Sequence, residues 1–250
     1  MKIKKLLLDI CILLCIGTFM FSTFKIFEFQ MEMRKIEQEQ KEIEQLLETT
    51  PSTNEEVEEP RFTPESFDKL KEVNKDYVFY LEFDSGIISL PIVQSYDNDY
   101  YLRRSFKRKS SLQGTPFVDY RNLLNDDNIT MYGHYVYADA SKMFTPLTKL
   151  KKQENYETNK IVRLHFRDET RTYVVAYVYE FDYTKTQYDY TIRNFASQEA
   201  LDDFFAYPKK HQYYDTNVDI ELGDSFITFQ TCVRNQDTKR LIVVAKQIEE

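Results

Sequence analysis

Tryptophan is absent, and glycine is scarce, with five in 250 residues. So few glycines leave little room for a glycine-rich phosphate loop. Neither G-x-G-x-x-G nor G-x-x-x-x-G-K-[ST] occurs. Cysteine is scarcer still: Cys11, Cys15 and Cys232 make no disulfide framework and no C-x-x-C zinc pattern. Positive charge is in deficit, with 33 Lys and Arg against 41 Asp and Glu, a net of −8. That balance argues against a nucleic-acid partner, because nucleic-acid binders carry a basic footprint. What the chain has instead is aromatic mass. Nineteen Tyr and nineteen Phe, in a sequence 42% hydrophobic, suffice for a sizeable core in one main domain with accessories.

Three segments follow along the chain. Residues 1–25 open with Lys2, Lys4 and Lys5, and Leu6–Phe24 is almost wholly apolar. About twenty helical residues cross a bilayer core, so 6–24 predicts a membrane span. The lysines favour an inside N-terminus and place everything after residue 25 outside. No small-residue cleavage site follows, which favours an uncleaved anchor over a signal peptide. Cys11 and Cys15 read as apolar filler of that span, with lipidation or an interhelix contact as the other reading. Residues 26–61 read as a stalk. The part to 48 is helical by composition, and "TTPSTNEEVEEP" (49–60) is a polar, acidic, proline-bounded linker. The ordered domain spans 62–250.

Within that domain, 63–74 predicts a helix, with Thr63 as its cap and Pro64 in the first turn. The pattern then turns β. Strands are expected at 77–83, 86–93, 115–119, 128–133, 160–166, 171–181, 225–232 and 240–247, with a helix at 197–211 between the sixth and seventh. Eight short strands and few helices indicate a mostly β barrel or sandwich.

"SFITFQTC" alternates, so Phe226, Thr228, Gln230 and Cys232 share one face and Ile227, Phe229 and Thr231 the other. Cys232 ends its strand beside a polar loop, 233–239, where reactive groups commonly sit on a rigid frame. A buried structural cysteine is the plain alternative. A nucleophile must be thiolate, which calls for a base or a cation nearby. Of three histidines, His165 lies inside a strand pattern and His211 follows a helix. His134 follows Tyr132-Gly133 at a strand end and is the best acid or base available. A hairpin across 233–239 would return Arg240 to Cys232, where its guanidinium can hold a carbonyl or an oxyanion. Arg234 is the rival cation, nearer in sequence.

Thr228-Phe229-Gln230-Thr231-Cys232, then seven residues, then Arg240, resembles the T-L-x-T-C…R signature of sortases, membrane-anchored cysteine transpeptidases of Gram-positive-type envelopes. "YGH" at 132–134 with Met143-Phe144 and Leu147 resembles the histidine segment of that family. "QSYDNDYYLRRSF" (94–106), "GTPFVDYRN" (114–122), the helix at 63–74 and the helical insert at 197–211 resemble class B members. The likeness runs from about 62 to 247. Phe229 departs from the usual leucine, Gln230 stands at a variable position, and the segment from His134 to Phe144 is longer than usual.

The resemblance implies a closed eight-stranded β-barrel at the surface of a Gram-positive-type cell. Its substrate would be a surface protein with a C-terminal sorting signal of N-P-x-T-x or S/N-P-x-T-G type, and its acceptor a peptidoglycan amine. By the family's pattern Cys232, His134 and Arg240 are catalytic. By the same pattern Asn98, Leu102, Thr186 and Tyr190 line the signal groove, and Gln230 and Thr231 are further substrate-binding candidates. No metal or organic cofactor is implied. A hydrolase of the same fold, a pilin-polymerising sortase and a non-catalytic binding module are the alternatives.

Overall fold

The computed structural model describes residues 2–47 and 61–249; the linker expected at 49–60 lies outside them. The chain divides into an N-terminal unit, 1–45, and a second unit, 46–250.

The N-terminal unit is one helix, α1 (Lys2–Leu47). It is long and apolar enough to cross a membrane, with a mean hydropathy of 2.1 in its apolar window. Leu13, Phe19, Met20 and Phe21 are all exposed on it. The expected change from span to stalk at residue 25 leaves no break in the helix. No proline, and no glycine beyond Gly17, interrupts that stretch.

In the second unit the elements are α2 (Pro64–Val73), β1 (Tyr77–Phe83), β2 (Ser89–Val93), β3 (Phe117–Val118), β4 (Asn128–Tyr132), α3 (Tyr156–Asn159), β5 (Ile161–His165), β6 (Thr170–Asp182), α4 (Gln198–His211), β7 (Phe226–Val233) and β8 (Gln236–Ile248). Helix α2 starts on a reciprocal cap. Thr63 Oγ1 accepts from the Ser66 N–H at 3.1 Å, and Ser66 Oγ accepts from the Thr63 N–H at 3.0 Å.

The strands close into a barrel in the order β1-β2-β3-β4-β7-β8-β6-β5, which leaves no sheet edge open. The β2–β3 and β4–β7 contacts are parallel and the other six antiparallel. Alternation decides what fills it. Phe79, Leu81 and Phe83 of β1, Met131 of β4, Phe229 of β7 and Val243 of β8 form the interior, each fully buried. Phe229, the departure from leucine, packs there against Phe83 and Phe144, ring centroids 5.9 and 5.6 Å away. A second apolar cluster lies on the outer face, where Tyr177, Phe226, Ile242 and Val244 meet Leu201, Phe204 and Phe205 of α4. Helix α4, capped by Ser197, is therefore a cover for strand residues that would otherwise face water.

The β7–β8 connection is tighter than the expected 233–239 loop. Strand β7 runs to Val233 and β8 begins at Gln236, around a turn at Arg234-Asn235. Asn235 takes φ 57°, a left-handed conformation that asparagine tolerates. The register steps from Cys232 opposite Arg240 to Val233 opposite Gln236, so residues 237–239 bulge out of β8.

Candidate active site

Even-numbered residues of β7 face outward. Gln230 pairs with Tyr132 of β4, Tyr132 with Phe117 of β3, and Cys232 with Arg240 of β8. Four neighbouring strands thus deliver these side chains to one outer surface, where a cavity of about 350 Å³ opens. Cys232, His134 and Arg240 all line it. So do Asn98, Leu102 and Gln230. Phe117, Tyr132 and Gly133 complete it. Cys232 is half-buried. The thiol is not sealed in the barrel but stands on the outer wall near the strand's end.

His134 is placed by the way β4 ends. The Gly133 N–H donates to Gln230 O at 3.1 Å, which carries the ladder one residue past Tyr132. The chain then turns, and His134 O accepts from the Phe144 N–H at 3.2 Å. A Cβ at residue 133 would collide with the Phe144 ring, so this close crossing requires glycine. Burial lowers the His134 pKa below its ordinary 6.5, and the positive charge of Arg103 lowers it further. The imidazole is therefore mostly neutral at pH 7, able to take a proton, with a minor imidazolium fraction able to give one. We expect an NMR titration of its ring to show a midpoint below 6.5; a midpoint at or above 6.5 would contradict this burial. The sign for stability follows. The unfolded chain binds the proton first as pH falls, so acidification through 6.5 costs stability.

Arg240 is held by the bulge beside it. Its Nη1 donates to Asp237 O at 2.7 Å and to Lys239 O at 2.9 Å. The guanidinium lies 4.9 Å from the Tyr183 ring centroid. Among the described residues no carboxylate pairs with it, so its charge stays available to the cavity. Arg234, the rival, is exposed at the turn and lines a different cavity, with Lys151 and Tyr213.

Tyr190, on the β6–β7 connection, is not among the residues lining the cavity but bonds to one that is. Its hydroxyl donates to Gln230 Oε1 at 3.4 Å. Asn128 fixes that connection, because its Nδ2 donates to Tyr190 O at 3.1 Å and Ile192 O at 2.8 Å. Two expected groove residues are not brought here. Thr231 faces the barrel interior and is fully buried, as strand alternation requires. Thr186 lines a separate open cavity with Asp182, Lys185 and Lys210. The other histidines are elsewhere: His165 stacks on Phe62 at 3.7 Å and His211 on Tyr207 at 4.2 Å.

Sequence reading missed the polar floor beneath Asn98. Asp119, 1% exposed, accepts from Asn98 Nδ2 at 3.1 Å and Tyr132 Oη at 2.7 Å. Its one available signal was a carboxylate immediately after the apolar pair of β3. Burial alone would raise its pKa, but the bonds from Arg121, Tyr132 and Asn98 prevail and bring it to about 2.

The arrangement can perform acyl transfer. A thiol stands across a strand pair from a fixed cation, and an imidazole lines the same cavity. The donor set offers no metal site: among the described residues no group of three or more His, Cys, Asp or Glu is placed to hold an ion.

A sortase-domain profile matches residues 85–248. Sortase B of Staphylococcus aureus is 27% identical over 253 residues, covering 100% of this chain and 99% of that protein. Sortase B of Listeria monocytogenes is 29% identical over 258 residues, covering 99% of each. Among solved structures, a Staphylococcus aureus sortase B–substrate complex superposes with a TM-score of 0.72 at 27% identity, over 89% of this chain and 99% of that one.

Proposed function

The chain belongs to the sortase family, in its class B, and from that premise we propose that it is a membrane-anchored cysteine transpeptidase acting on exported surface proteins. One observation carries the reading: Cys232 and Arg240 face each other on paired strands, and His134 lines the same cavity. Cys232 Sγ attacks the carbonyl carbon after the threonine of a sorting signal of N-P-x-T-x or S/N-P-x-T-G type. The negative charge that develops on the carbonyl oxygen falls to the Arg240 guanidinium. The C–N bond breaks, the leaving amine takes a proton from the His134 imidazolium, and a thioacyl enzyme remains. An incoming amine then attacks the thioester, the neutral imidazole takes its proton, and Cys232 leaves as thiolate. The acceptor in this reading is a peptidoglycan amine.

The apolar helix supports the location. With residues 6–24 in the bilayer and the N-terminal lysines inside, the barrel stands outside, where exported substrates pause at the membrane. Tethering both partners to one surface raises their effective concentration with no added contact.

The test is the full chain in detergent, incubated with a panel of sorting-signal peptides, with and without triglycine, and mass spectrometry of the products. The expected results are a mass shift on Cys232 and a peptide joined to glycine. Free acid alone, unchanged by triglycine, would make the protein a hydrolase. A panel that leaves every peptide intact would sink the reading.

A further inference from the structure

Behind Asn98 and Tyr132, which line the cavity, donors gather around one carboxylate. Besides Asn98 and Tyr132, Asp119 accepts from Arg121 Nε at 2.9 Å, Arg121 Nη2 at 2.7 Å and the Arg121 backbone N–H at 2.9 Å. Every neighbour of the carboxylate is thus a donor. This has a consequence for Asn98. Its Oδ1 accepts from the Tyr120 N–H at 3.0 Å, while its Nδ2 donates to Asp119 Oδ2. A backbone N–H can only donate and a carboxylate can only accept, so the amide has one permitted orientation. One N–H of Asn98 is left over, on a half-buried side chain that lines the cavity. The same carboxylate is tied to the β6–β7 connection. Arg121 Nη2 also donates to Thr191 Oγ1 at 3.0 Å, one residue from Tyr190.

We propose that Asp119 is a positioning residue for the peptide substrate: it locks the Asn98 amide so that its free N–H meets a backbone carbonyl of the bound peptide, and through Arg121 and Thr191 it fixes the segment that carries Tyr190. The inference rests on the transpeptidase reading for the identity of the peptide. It assigns Asp119 no contact with the reacting atoms.

Asp119→Asn is close in shape but wrong in chemistry. An amide turns one of its two ends into a donor, and that end then opposes Arg121 or the Asn98–Tyr132 pair. Loss of a uniformly used binding contact raises KM and leaves kcat. With the full chain in detergent and a peptide that the wild type processes, we expect KM to rise about tenfold or more and kcat to stay within about threefold. Asn98→Ala should do much the same. In Asp119→Asn/Asn98→Ala the two losses should not add, because one acts largely through the other. The labelling rate of Cys232 by a small thiol reagent should be unchanged in all three.

An unchanged KM, a fall in kcat alone, or fully additive losses would overturn the proposal. If Asp119→Asn fails to fold, Asn98→Ala decides alone: an unchanged KM there removes the held amide from binding. A wild type that processes no sorting-signal peptide would count against the function, whereas a processing wild type with an unaffected Asp119→Asn counts only against this inference.

Discussion

Cys232→Ala should abolish cleavage of any peptide the wild type processes, by about 10⁴-fold or more, while the protein stays folded. The first half follows from the chemistry. No other cysteine belongs to the barrel, since Cys11 and Cys15 lie in α1, and no other side chain in the cavity can form a thioacyl bond. The second half follows from where the thiol sits. Cys232 is half-buried on the outer face of β7, and the interior of that strand is held by Ile227, Phe229 and Val233 instead. Removing one half-buried sulfur on the outer face leaves no cavity in the core, so the stability change should stay within about 1 kcal/mol. Peptide turnover by the full chain in detergent, together with its thermal midpoint, checks both. Residual cleavage within tenfold of wild type would mean that the nucleophile is another group. A collapse of the thermal midpoint would mean that the thiol is a packing element after all.

Much of this arrangement was legible because β alternation is a strong signal. The run "SFITFQTC" sorts its side chains between two faces with period two, and the structure sorts them the same way. The eight strands were legible from runs of Tyr, Phe, Val, Ile and Thr, and α4 from a helical spacing that puts Leu201, Phe204 and Phe205 on one face. What escaped was set by contacts across long sequence distances. The hairpin pointed to Arg240 over Arg234, but not to how the return is made. It is made by a bulge at 237–239 that returns Arg240 to register with Cys232 while Arg234 stands at the turn. Thr231 was expected in the groove, yet alternation itself turns it inward. Thr186 was expected there by resemblance, and the path of the β6–β7 connection takes it to another cavity. Asp119 reads as an ordinary polar residue until Asn98, Arg121 and Tyr132 are seen to converge on it.

Arg240→Lys is the second large effect, an expected loss of about 10²-fold in kcat/KM. The substitution keeps the charge, so any loss measures geometry. In the protein the guanidinium divides its donors. Nη1 is committed to the bulge carbonyls of Asp237 and Lys239, and the plane rests on Tyr183. That anchorage leaves over the remaining N–H groups of a residue that lines the cavity. An ammonium is a compact point charge on a flexible stem. It can satisfy the bulge carbonyls or reach the cavity, but it lacks the rigid fork that does both at once. A developing oxyanion needs a donor already in place, since reorganising one during the reaction forfeits much of its benefit. The loss should therefore fall mainly on kcat, in contrast to Asp119→Asn, where it falls on KM. Arg240→Ala should be lower still, having neither charge nor donors. Initial rates over a range of peptide concentrations separate the two constants. A lysine variant with wild-type kcat would show that a positive charge near Cys232 suffices and that the planar fork has no part in the reaction.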